Sequence, residues 1–94
     1  MGSRAINAHD NEEDRRQRIE ELVRDHGPDW ANQYAPGSFG CHELLDRTML
    51  AADAVEEQLL SHPACVQNPE WFALADEAVS ALRELYQRIG AEHV

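Results

Sequence analysis

The residues best suited to chemistry in this 94-residue chain lie together in segment 41–47, which reads Cys-His-Glu-Leu-Leu-Asp-Arg. The free N–H groups of a helix's first turn favour a thiolate over a thiol, so Cys41 at a helix start could act as a nucleophile. His42 follows it, but adjacent residues of a helix point about 100° apart and do not face each other. Cys41 also falls on the apolar side of the predicted helix, which favours a buried, inert thiol.

A metal site is the second chemistry that this segment could support. His42 and Asp46 are one helical turn apart, which is the spacing of the His-Glu-x-x-His zinc motif with an aspartate in place of the second histidine. His62 and Cys65 form a second pair of possible ligands, at the other end of the predicted hairpin. The two pairs could share a metal only across an oligomer, so we predict no cofactor or metal. No catalytic signature is complete, and the sequence favours a non-enzymatic protein.

These residues are positioned by two long amphipathic segments, about 41–62 and 69–90, which predict a long antiparallel helical hairpin. Gly40 is the predicted N-cap of the first arm, and Asn68-Pro69-Glu70 is a strong start signal for the second. Gly90 marks its predicted end. The seam of the first arm repeats every three or four residues: Cys41, Leu45, Thr48, Ala52, Val55, Leu59 and His62.

The second arm is apolar around about half of its circumference. One seam consists of Phe72, Ala75, Val79, Leu82, Tyr86 and Ile89. A second seam beside it consists of Trp71, Leu74, Ala78, Ala81 and Leu85. One neighbouring helix cannot cover both seams, so the pattern predicts a second packing partner.

The N-terminal part of the chain predicts a shorter helix, about 12–26, that ends at Gly27-Pro28. Its narrow stripe consists of Ile19, Leu22, Val23 and His26. A single helical turn is predicted within 29–34. Residues 1–11 are polar and predict a mobile tail, and residues 12–94 predict one helical domain. The predicted fold class is therefore all-α, a small helical bundle built on the long hairpin.

Self-association is the simplest way to cover the second seam, because two hairpins can form a four-helix bundle. The preferred interpretation is a small acidic interaction or regulatory module, which forms a homodimer or binds another helical protein. The alternative is a closed monomer, in which the aromatic residues of segment 30–39 cover the remaining apolar surface. The predicted interface residues are Trp71, Phe72, Leu74, Leu82, Leu85, Tyr86 and Ile89.

The charge and the cysteine content of the chain limit the classes of partner that it could bind. Eighteen acids oppose eight bases, all of them arginine, for a net charge of −10, and no stretch forms the basic surface that nucleic acids require. No segment has the length of a membrane span, and the two cysteines predict free thiols, which favours a cytoplasmic protein. Two alternatives remain: a small metal-binding protein using the Cys41–Asp46 cluster, and an acidic inhibitor or nucleic-acid mimic of a basic target. The carboxylates of the mimic would include Glu43, Asp46, Asp53, Glu56 and Glu57.

Overall fold

A computed structural model describes residues 8–93, with side chains from residue 11 onward, and every regular element in this range is helical. The elements are α1 (Ala8–His26), a 3₁₀ turn (Trp30–Tyr34), α2 (Phe39–Val55), a π-helical turn (Glu56–Leu60), α3 (Pro63–Val66) and α4 (Pro69–His93). The predicted all-α class is confirmed. The contacts divide the chain between residues 32 and 33 into two compact units, which are described in turn. The single domain over 12–94 stays a prediction.

The first unit contains α1, which begins four residues before the predicted start and ends at His26 as predicted. Gly27 follows with a φ of +90°, and its N–H donates to the carbonyl of Val23 at 2.7 Å. A left-handed glycine after the last turn is a common helix terminator, because no Cβ opposes that conformation. Residues 1–7 of the predicted mobile tail lie outside the described residues.

Ion pairs one turn apart cover the exposed surface of α1. They are Arg15–Glu12, Arg16–Glu13 and Arg18–Asp14. The hydrogen bond from Arg15 holds the pKa of Glu12 below its ordinary value. Since these pairs are exposed to solvent, they support the helix locally and contribute little to tertiary stability.

In the second unit, α2 begins at Phe39, and its N-cap is Ser38 rather than the predicted Gly40. The Ser38 hydroxyl accepts a hydrogen bond from the Cys41 N–H at 3.1 Å. Gly40 lies inside the first turn, where a Cβ would meet the ring of Tyr34 and come within 2.6 Å of the Gln33 carbonyl oxygen. Gly40 therefore lets residues 33–34 pack closely against the first turn of α2, and Ser38 supplies the cap.

Helix α4 begins as the sequence predicted, since the Asn68 side chain accepts hydrogen bonds from the N–H groups of Glu70 and Trp71, both at 3.1 Å. It continues three residues past the predicted end at Gly90. The last residue of the helix, His93, accepts a hydrogen bond at Nδ1 from the Gly37 N–H, at 2.9 Å. This long-range contact fixes the final turn, which the sequence pattern alone did not predict.

Helices α2 and α4 pack side by side with opposite chain directions. The ring of His42 near the start of α2 lies 5.6 Å from that of His93 at the end of α4, and Asp53 near the end of α2 pairs with Arg83. Among residues 11–93 only four side chains are buried: Cys41, Thr48, Ala52 and Val79. None of the large apolar side chains described is fully buried. The core between the two helices is therefore thin and built from small residues.

A π-helical turn at Glu56–Leu60 changes the register of the predicted α2 seam. The predicted seam agrees with the observed burial from Cys41 to Val55. Beyond Val55, Leu59 is 49% exposed and Leu60 is half-buried in its place. A π turn holds an extra residue, because its hydrogen bonds span five residues instead of four. The prediction that Leu59 belongs to the inner seam was wrong for this reason.

Two helical glycines of the second unit provide a matched test of this packing. We expect Gly40→Ala to lower the free energy of unfolding by about 1–3 kcal/mol, because the new methyl group must displace the Tyr34 ring and the Gln33 carbonyl. Gly90→Ala should raise it by about 0.5–1 kcal/mol, since the nearest atom to the new Cβ is the Leu45 Cδ1 at 3.9 Å and alanine favours helix. Urea unfolding monitored by circular dichroism measures both. Equal effects of the same sign would contradict the described packing at Gly40.

Candidate functional site

The Cys41–Asp46 cluster does not converge on one point. Cys41 is buried, 9% exposed, on the inner side of α2, whereas His42 and Asp46 are exposed. Glu43 forms an ion pair with Arg47 at 3.0 Å, one turn along the same helix. The thiol and the polar side chains therefore lie on different sides of α2, which removes the nucleophile arrangement from this segment.

The second pair of possible ligands has a capping role. His62 is the N-cap of α3, and its Nδ1 accepts a hydrogen bond from the Ala64 N–H at 3.1 Å. Cys65 is half-buried within α3, and both cysteines are free thiols. Within the part of the chain that the structure describes, no group of three or more histidine, cysteine, aspartate or glutamate side chains could hold a metal ion.

One side of the α2–α4 pair is polar, and we call it the polar flank. Arg83 of α4 bridges to Glu56 at 2.6 Å and to Asp53 at 3.5 Å. The hydrogen bond to Glu56 raises the pKa of the Arg83 guanidinium, so this side chain stays charged. The bridge ties the two helices together across their edge, a long-range pairing that neither helix's own periodicity predicted.

The other side of the pair is apolar. At about 100° per residue, Ala81 and Leu85 lie about 160° around α4 from Arg83, with the buried Val79 between. The apolar flank consists of the second seam of α4: Trp71, Leu74, Ala78, Ala81 and Leu85. The three large members are exposed, Trp71 at 58% and both leucines at 45%. Apolar patches of this kind, set beside polar surface, are typical of interaction sites.

The structure separates the predicted interface residues into two groups. Trp71, Phe72, Leu74 and Leu85 are exposed. Leu82, Tyr86 and Ile89 are half-buried and belong to the inner seam. The exposed group is available to a partner, while the second group supports the hairpin.

Comparison with protein-family models, with characterised proteins and with solved structures gave no match. Within residues 8–93, no helix combines the length and apolar character needed to cross a membrane. The apolar flank is the candidate functional site.

Metal analysis tests whether the Cys41–Asp46 cluster binds a metal ion. Protein purified without added zinc should contain well below one zinc per chain, because His42 and Asp46 have no third ligand among the described side chains and structural zinc takes four. The His42→Ala variant should give the same value. One zinc per chain that is lost in His42→Ala would contradict this assignment and restore the metal-binding interpretation.

Proposed function

We propose that this chain is a small acidic helical interaction module that self-associates through its apolar flank. The supporting observation is the exposure of Trp71, Leu74 and Leu85 along one continuous stripe of α4. A second copy of the chain is the simplest occupant, because it presents an apolar stripe of the same length and character. The two free cysteines support a reducing, cytoplasmic setting for this assembly.

The size of the available face matches the needs of a dimer. Residues 39–60 form a helical stretch about 33 Å long at about 1.5 Å per residue. Two helices with axes about 8–10 Å apart present a side face about 20 Å wide, so a contact that used α2 as well as the apolar flank of α4 would cover about 650 Å². Stable interfaces bury roughly 800 Å² per partner, which is close to this value.

The thin core gives association a second role. Each apolar side chain taken out of water contributes about 1.5–3 kcal/mol, and few large side chains of the hairpin are covered within one copy. Burial of Trp71, Leu74 and Leu85 between two copies would add the missing apolar contribution. Folding and association would then be coupled, as is common for small helical chains.

The distribution of charge permits two copies to meet despite the net charge of −10. Asp76 and Arg83 of α4 lie on the side away from the apolar flank, and Glu77 and Glu84 lie at its border beside Ala81. The centre of a contact between two flanks is therefore free of charge. The remaining repulsion acts at long range and is reduced by salt.

A matched pair of leucine substitutions tests the surface. Leu85→Glu should reduce the solution mass from dimer to monomer, because a carboxylate in the contact must lose its hydration. Leu50→Glu is the control, since Leu50 is also exposed, at 60%, but lies on the outer side of α2 about 180° from Cys41. Light scattering after size exclusion at several concentrations measures the mass. A dimeric Leu85→Glu, or a monomeric Leu50→Glu, would contradict the assignment of the surface.

The salt dependence distinguishes self-association from acidic mimicry. Dimerisation through the apolar flank should strengthen between low salt and about 0.5 M salt, because screening reduces repulsion between two chains of the same charge. An acidic mimic bound to a basic target would dissociate over the same range. Sedimentation equilibrium at several salt concentrations gives the dissociation constant. A dimer that weakens steadily with salt would be held by charge pairs, against the proposal.

A further inference from the structure

We infer that two copies pair through α4 in antiparallel orientation, with a two-fold axis between Ala78 and Ala81. This inference rests on the proposed self-association and adds its symmetry and register. It places Leu74 of one copy against Leu85 of the second copy, and Ala78 of one copy against Ala81 of the second copy. The order of side chains along the apolar flank supports this register.

The flank has a symmetric pattern. Leu74, Ala78, Ala81 and Leu85 are separated by four, three and four residues, so both spacing and side-chain size are the same in either chain direction. In an antiparallel two-fold contact residue i meets residue j and residue j meets residue i, so this pattern pairs leucine with leucine and alanine with alanine. A parallel contact pairs each residue with itself and requires no such symmetry.

The side-chain sizes also suit two crossing helices. Crossed helices are closest at one point and diverge on both sides of it, with axes about 8–10 Å apart at the contact. Ala78 and Ala81 at the centre permit a close approach. Leu74 and Leu85, each 45% exposed, are long enough to fill the wider space on either side.

The ends of the flank favour the antiparallel orientation. Continuing the same register places Trp71 of one copy near Arg88 of the second copy. Arg88 is exposed and pairs with Glu84 at 2.6 Å, so its guanidinium lies on the surface of α4. Arginine over the face of a tryptophan ring is a favourable cation–π contact. A parallel arrangement would instead bring the two Arg88 charges towards each other.

Complementary charges at the paired positions test the register. Leu74→Lys alone and Leu85→Glu alone should each be monomeric, because each buries two unpaired charges per dimer. A one-to-one mixture should form a heterodimer, since one lysine then faces one glutamate and the other contact keeps two leucines. We expect the mixture to associate at least about tenfold more tightly than either variant alone. Circular dichroism confirms that each variant is helical before mixing.

A second mixture, Leu74→Lys with Leu74→Glu, is the control for orientation. It should stay monomeric, because position 74 does not meet itself in the antiparallel register. Recovery of the dimer in this mixture, but not in the first, would overturn the inference in favour of a parallel contact. A dimeric wild type with neither mixture recovering would also overturn the register while leaving self-association intact. A monomeric wild type at every concentration would remove both the register and the proposed function.

Discussion

The close packing of α2 on α4 through small side chains is the constraint on which the second unit depends. Ala52 is 1% exposed and Val79 is 6% exposed, and these two residues are the most buried apolar positions of their helices. Small residues permit close approach, but they remove little apolar area from water. The large side chains therefore remain at the edges of the pair, and their exposure follows directly from the small size of the core.

The two edges of the pair have opposite characters, and in the proposed self-association this difference would direct the contact to one side. Arg83 joins α2 to α4 on the polar flank, where it neutralises part of the acidic charge of Asp53 and Glu56. The apolar flank consists of uncharged side chains. An acidic chain can therefore expose an apolar stripe beside its charged surface.

Local irregularities set the shape of the hairpin at both ends. At one end, the π turn Glu56–Leu60 and the short helix α3 lead the chain from α2 into α4. At the other, Gly37 has a φ of +88° and donates its N–H to His93, which holds the loop before α2 against the last turn of α4. Neither feature leaves a periodic signal, because each depends on one hydrogen bond or one extra residue.

The sequence by itself determined the helical class, the start of α4 at Asn68-Pro69 and the two seams of α4, because caps and apolar spacing are local properties of a chain. It also identified Trp71, Leu74 and Leu85 as interface residues, which stays a prediction. Only the tertiary structure decided that Ser38 caps α2 and that Leu60 replaces Leu59 in the seam. It likewise decided that the Cys41–Asp46 cluster lies on separate sides of α2, since burial and long-range hydrogen bonds depend on neighbours that are distant in sequence.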